Sequence, residues 1–130
     1  NGILSRLNPY RKTKFDDIVW DYEKYVDLQI SSNFQKSTFP TVMPGWDNSS
    51  RRKTKAFILE NSTPEKFGDW VSNVLMKYPW KKEETNFLFI NAWNEWAEGN
   101  HLEPCQKWGN EYLKQIKVKL EQFYKITSDS

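Results

Sequence analysis

The sequence predicts an α/β fold, and three observations lead to that prediction. The length of 130 residues is that of one ordinary domain. Two short apolar runs each pass into a polar loop, and amphipathic helical patterns precede, separate and follow them. Strands separated by helices usually pair in parallel through right-handed crossovers. Because ligands of such folds bind beyond the carboxyl ends of the strands, the two polar loops form the expected functional edge.

The first half of the chain is expected to contain one helix and one strand. Residues 1–14 are polar, basic and interrupted by proline, which is typical of a loop. Apolar positions at helical spacing predict a helix over residues 15–27. The apolar run 39–44, closed by Pro-Gly, predicts a buried strand that ends in a turn. Residues 53–62 are ambiguous, and 56–59 form a possible short extended stretch within them.

The second half is expected to contain a helix, a strand and a second helix. Thr63 is placed to cap a helix that has Pro64 in its first turn, and an apolar stripe continues this helix to about Tyr78. The continuously apolar run 87–90 predicts a strand covered on both faces of a parallel sheet. A second apolar stripe predicts a final helix over about 109–125.

The composition excludes several classes of function. A net charge of +2, with basic and acidic residues interleaved, gives no nucleic-acid patch. No apolar run approaches the length of a membrane span. With one cysteine, Cys105, and one histidine, His101, the chain has neither an internal disulfide nor a Cys/His zinc site. Since glycine-rich phosphate loops and metal-ligand spacings are also missing, we expect no metal and no cofactor.

The segment Asn94–Gly99, just after the second predicted strand, carries the strongest candidate chemistry. In a helical turn, Glu95 and Glu98 would face the same side with Cβ atoms about 5–6 Å apart. Like charges that close resist double ionisation, which suits a pair made of one acid and one base. Trp93 and Trp96 could exclude water from this pair and stack on a sugar ring. The alternative is a solvated helix start whose acids face the positive end of the helix dipole.

The loop after the first predicted strand is the second candidate. Trp46 could form a platform for a substrate, and Asp47 and Asn48 could bind hydroxyl groups. Arg51 and Arg52 could bind a carboxylate or a phosphate. The alternative is an Asx-rich turn with solvated arginines.

Two further polar residues follow the glutamate segment. His101 could act as a general base or contact a hydroxyl, although a lone histidine beside a loop more often supports a site from behind. Glu103 could add a third acidic contact, but a glutamate before proline is also common in extended loops.

These motifs resemble the C-terminal part of the WbsX-type, glycoside hydrolase family 99-like domain. The resemblance covers about residues 15–125 and implies a (β/α)8 barrel, of which this chain would supply the last two βα units. Asn100 stands where the family 99 hydrolases have threonine, which places the chain nearer the WbsX-like branch. The matching segments are 44–48 with Arg51 or Arg52, 90–99, 102–104 and 109–113.

The resemblance also implies an activity and roles for particular residues. Members are glycosidases, including retaining endo-α-mannosidases, or glycosyltransferases of bacterial surface-polysaccharide clusters. The expected substrate is therefore an oligosaccharide or polysaccharide, either a bacterial surface polysaccharide or a mannose-type glycan. Glu95 would take the proton from the sugar 2-hydroxyl, which attacks the anomeric carbon. Glu98 would protonate the leaving oxygen and then activate water. The residues that would bind substrate are Trp46, Asp47, Trp93 and Asn94.

These observations lead to the view that residues 1–130 are a single partial domain from the C-terminal part of such a barrel. Residues 1–14 and 127–130 are expected to be loop or frayed. The enzyme is expected in the cytoplasm, and this chain by itself is expected to be inactive. Hydrolysis and transfer both remain open, as do a non-catalytic glycan-binding module and a purely structural α/β fragment.

Overall fold

The computed structural model describes residues 10–12, 16–32, 34, 38–81 and 85–128. Within these ranges the chain forms three helices and eight short strands. The helices are α1 (Tyr22–Ser31), α2 (Pro64–Lys77) and α3 (Glu111–Ser128). The strands are β1 (Tyr10–Lys12), β2 (Ile18–Asp21), β3 (Thr41–Val42), β4 (Trp46–Asp47), β5 (Phe57–Glu60), β6 (Phe89–Ile90), β7 (Asn94–Glu95) and β8 (Asn100–His101).

Parallel strand pairs confirm the α/β class. The largest sheet has the order β1–β2–β5–β4, in which β2 and β5 pair in parallel and the two outer strands pair antiparallel. β3 and β6 form a separate parallel pair, with Val42 opposite Ile90. These are the two strands that the sequence predicts, and their parallel pairing is as predicted. The described strands do not close into a barrel.

The prediction that the first helix begins at residue 15 is wrong. Ile18–Asp21 is strand β2, and the helix begins at Tyr22 and continues to Ser31. Asp21 sets this boundary because its backbone is extended while its side chain accepts a hydrogen bond from the Lys24 backbone nitrogen at 3.3 Å. β-branched and aromatic side chains in β2 favour the strand once β5 lies beside it.

The predicted loops and strands also need correction. Tyr10–Lys12, inside the predicted loop 1–14, is strand β1; residues 1–9 and 13–14 lie outside the described part of the chain. The ambiguous 53–62 segment contains β5, a central strand of the largest sheet. Residues 127–128 belong to α3, and 129–130 are not among the described residues. The run 87–90 is not covered on both faces, because Phe87 and Phe89 are about half exposed.

Helix α2 confirms its prediction and forms the centre of the core. Thr63 caps it by accepting a hydrogen bond from the Lys66 backbone nitrogen at 3.3 Å. The buried face packs against α1, α3 and strand β3. The core residues of this face are Phe67, Trp70, Val71, Val74 and Leu75. Over the described residues, none of the helices combines the length and apolar character that a bilayer crossing needs.

Candidate functional site

The two polar loops of the sequence lie against each other in the structure. The loop after β4 begins with a 3-10 turn, Ser49–Arg51, and the segment after β7 forms a second one, Trp96–Glu98. The Ser50 hydroxyl donates a hydrogen bond to the Ala97 carbonyl oxygen, which joins the two turns. The chain therefore brings together residues that lie 47 positions apart in sequence, about a third of its length.

Arg51 bridges the two candidate catalytic glutamates. Its Nη2 lies 2.7 Å from Glu95 Oε1, and its Nη1 lies 3.4 Å from Glu98 Oε1. Both carboxylates therefore face the same side, although a strand followed by a 3-10 turn achieves this rather than an α-helical turn. The Glu98 side chain is 18% exposed and the Glu95 side chain 40%.

Glycine at position 99 allows the glutamate segment to turn back as a hairpin. Gly99 adopts a left-handed backbone conformation with φ of 56°. Residues other than glycine rarely adopt this conformation. A Cβ atom there would also lie 3.4 Å from Asp47 Cβ. The turn lets β8 pair with β7, so that Glu95 lies opposite Asn100.

Buried Asn100 fixes the strand end behind the glutamates. The side chain is fully buried, and its Oδ1 accepts a hydrogen bond from the Ala92 backbone nitrogen at 3.2 Å. The Leu102 backbone nitrogen contacts the Ala92 and Trp93 carbonyl oxygens at 3.1 and 2.9 Å. These bonds hold the segment that leads from β6 into the site against β8.

Trp96, between the two glutamates in sequence, has its ring held on two sides. Its ring stacks on His101 with centroids 3.8 Å apart and an interplanar angle of 19°. Its Nε1 donates a hydrogen bond to Glu103 Oε2 at 2.7 Å. Burial lowers the pKa of His101, and the nearby Glu103 charge opposes that shift. His101 thus packs against the ring of Trp96.

The other predicted binding residues differ in their surroundings. Trp93 and Asn94 are exposed on the segment that carries the glutamates. Asp47 is exposed next to Gly99, and its Oδ1 accepts a hydrogen bond from the Ser49 backbone nitrogen at 2.9 Å. Trp46 is partly buried and packs against the core. The structure therefore groups Asp47 with the glutamate segment, and substrate binding by Trp46 stays a prediction.

The Asx-turn alternative describes Asp47, because its Oδ1 accepts a hydrogen bond from the backbone nitrogen two residues later. The Asn48 Oδ1 accepts a hydrogen bond from the Phe57 backbone nitrogen at 2.8 Å, which ties the loop to β5. Arg51 contacts protein carboxylates instead of standing free for substrate. The sequence indicates Arg51 as a ligand for a carboxylate and Glu103 as a third acidic contact, whereas no pattern in it points to Ser50.

No metal site can be assigned within the ranges that the structure describes. None of their histidine, cysteine, aspartate and glutamate side chains form a group of three or more that could hold an ion. The side chains that meet at the site carry carboxylates, a guanidinium and an indole ring. Paired carboxylates are typical of sites that cleave glycosidic bonds.

Comparison with known proteins identifies the family. Residues 3–116 match the family described as Glycosyltransferase WbsX, and the chain belongs to this family. An uncharacterized protein WxcX from Xanthomonas campestris pv. campestris (strain B100) is 40% identical over 101 residues. Those residues make up 76% of this chain and 14% of that protein. The protein of the same name from strain ATCC 33913 is 40% identical over 76 residues, 58% of this chain and 11% of the relative. No solved structure matches the chain.

The match therefore spans 14% of the length of the WxcX protein from strain B100. The description of this family names a glycosyltransferase.

Proposed function

We propose that this chain belongs to an enzyme that acts on a glycosidic bond through an acid and base pair formed by Glu98 and Glu95. The substrate would be a bacterial surface polysaccharide or a mannose-type glycan. The observation that carries the proposal is the contact of both carboxylates with one guanidinium, because it holds them on one side of the site. Family membership supports a sugar substrate.

The surroundings of the two carboxylates suit different roles. Glu98 is the less exposed one, and we assign it the role of the acid that protonates the leaving oxygen. Glu95 is more accessible and lies closer to Arg51, and we assign it the role of the base. The ion pair with Arg51 also means that Glu98 must loosen its longer contact before it protonates a leaving group.

The proposed reaction has two steps with balanced proton transfers. Glu95 takes the proton of the sugar 2-hydroxyl, the freed oxygen attacks the anomeric carbon, and the glycosidic bond breaks as Glu98 protonates the leaving oxygen. The attack of the 2-oxygen leaves a 1,2-anhydro sugar. Glu98 then accepts a proton from water or from an acceptor hydroxyl, and the oxygen of that group attacks the anomeric carbon and opens the anhydro ring. Glu95 returns its proton to the 2-oxygen. Water gives hydrolysis and a sugar hydroxyl gives transfer.

We further propose that residues 1–130 are a partial domain within a (β/α)8 barrel. The parallel β3–β6 pair, with both polar segments following its strands, supports this arrangement. The half-exposed phenylalanines on β6 and just before it also support it, because a barrel would cover them with neighbouring elements.

Replacement of Glu98 in the complete barrel is the direct test. Glu98→Gln keeps the shape of the side chain but cannot donate or accept the proton, so turnover of a mannose-containing polysaccharide should fall about 10²-fold or more. Glu121→Gln, an exposed glutamate of α3, is the matched control and should keep full activity. Turnover equal to wild type in Glu98→Gln would remove Glu98 from the mechanism.

A glycan-binding module without catalysis is the second candidate function. The observation that favours it is that Arg51 forms ion pairs with both glutamates. Carboxylates held in ion pairs are less free to exchange protons with a substrate. Calorimetry with Glu95→Gln and Glu98→Gln separates the two functions. Unchanged glycan affinity, together with no turnover by the wild-type barrel, would select the binding module.

A further inference from the structure

The indole ring of Trp96 has one face that no described side chain stacks on. The His101 ring covers one face, and the indole edge is bound through Nε1 to Glu103. Trp96 nevertheless remains 48% exposed. Since one face is covered, this exposure belongs to the opposite face and the remaining edges.

Trp96 lies between the two glutamates along the chain, because it follows Glu95 directly and begins the 3-10 turn that ends at Glu98. Here its orientation is already set by a stacked ring and a hydrogen bond, so little side-chain entropy would be lost when a ligand binds.

We propose that Trp96 is a preformed platform for a pyranose ring, with Glu103 and His101 as its positioning residues. One face of many pyranoses presents several C–H bonds, which pack well on the electron-rich face of an indole. This inference rests on the proposed function, since it places the sugar ring next to the reacting carboxylates. It adds a specificity: the ring bound here must offer an apolar face.

Glu103 and His101 have distinct positioning roles. Glu103 fixes the rotation of the indole through a charged hydrogen bond of 2.7 Å. His101 supports the covered face, and neither of its ring nitrogens has a hydrogen-bond partner among the described residues. The imidazole therefore acts here mainly as a flat packing surface.

The indole N–H signals of tryptophan in ¹⁵N-labelled chain provide the experiment. The chain has seven tryptophans, and Trp96→Phe assigns the signal of Trp96. The probes are methyl β-D-glucopyranoside, methyl β-D-galactopyranoside and methyl α-D-mannopyranoside. Sorbitol, which has hydroxyl groups but no ring face, is the control. At least one pyranoside should shift the Trp96 signal in a saturable way, and sorbitol should not.

Substitutions then test the platform and its supports. Trp96→Leu should weaken pyranoside affinity about tenfold, the size of effect that stacking on aromatic side chains gives for nucleic-acid bases. Glu103→Ala should speed hydrogen exchange at the Trp96 indole nitrogen and weaken affinity, whereas Glu103→Gln keeps an acceptor and should restore both. His101→Phe should keep affinity and His101→Ala should lose it. Unmoved signals of the other tryptophans show that each variant is folded.

Two results would overturn the platform. One is a saturable shift of other indole signals while Trp96 stays unmoved, and the other is the lack of any pyranoside-specific shift. Neither result bears on Glu98, whose test is turnover by the barrel. Conversely, full turnover by Glu98→Gln together with a shifted Trp96 signal would overturn the proposed reaction and leave the platform in place.

Discussion

Arg51 is the residue that lets two glutamates share one side of the site. Its two Nη atoms contact separate carboxylates, which a planar guanidinium does better than an ammonium group. Without it, Glu95 and Glu98 would face each other as like charges. The geometry of the proposed acid and base pair therefore depends on a residue from the other loop.

Replacement of Arg51 should affect activity more than stability. If the proposed reaction holds, Arg51→Gln should lower turnover by the complete protein at least about tenfold. Arg51→Lys should recover part of it, because lysine keeps the charge but not the planar fork of donors. Stability should change by less than about 1 kcal/mol, since the pair is exposed. Steady-state kinetics and urea unfolding measure the two effects. Arg52→Gln, its exposed neighbour, is the control, and an equal loss of turnover there would contradict a specific role for Arg51.

His101 predicts a pH dependence with a defined sign. Burial lowers its pKa in the folded chain, so the unfolded chain binds a proton at higher pH than the folded chain does. The stability linked to neutral His101 is therefore present above the ordinary histidine value of about 6.5. It is lost as the pH falls through the lower folded value.

Urea unfolding at pH 7.0 and 5.5 measures this loss. His101→Phe keeps a ring on Trp96 and removes the titrating group, so the free energy of unfolding should fall less between the two pH values. His101 is the single histidine of the chain, which makes the difference between wild type and variant specific. Identical pH dependence in the two proteins would show that His101 titrates normally.

At the scale of elements, helix α2 begins at a capping residue, Thr63, that a single substitution can remove. Thr63→Ala should lower the free energy of unfolding by about 1 kcal/mol, because the Lys66 backbone nitrogen loses its acceptor. Thr63→Ser keeps the acceptor and should remain close to wild type. Urea unfolding of the three proteins checks this. Equal stability of Thr63→Ala and wild type would mean that solvent replaces the cap without cost.

Elements with local signals were predictable, and elements decided by distant partners were not. The capping threonine, the proline after it and the apolar stripe all lie within α2, so the sequence predicts it to within a residue. β2 has side chains compatible with a helix or a strand, and its pairing with β5, about forty residues later, decides the outcome. The same holds for the site. Glu95 and Glu98 stand out in one segment, but Arg51 joins them only through tertiary structure.

At the scale of the whole molecule, three phenylalanines form an exposed patch outside the core. Phe39, Phe87 and Phe89 are each about half exposed. The rings of Phe39 and Phe87 lie 5.2 Å apart, and those of Phe87 and Phe89 lie 6.0 Å apart. This phenylalanine patch lies along the β3–β6 pair. An apolar group of this kind on a protein surface usually marks an interface.

The proposed barrel predicts how the phenylalanine patch behaves. In the 130-residue chain the patch should bind the dye ANS, whose fluorescence rises in apolar surroundings. Phe87→Ser with Phe89→Ser should remove most of that signal, while Val118→Ser, an exposed apolar residue of α3, should not. Because the rings are already exposed to water, the free energy of unfolding should change by no more than about 0.5 kcal/mol. In the complete barrel, neighbouring elements should cover the same rings, so wild type should bind little dye and the double substitution should destabilise it. Equal dye binding by chain and barrel would mean that the patch faces outward in both, and the barrel arrangement would then lose one of its supports.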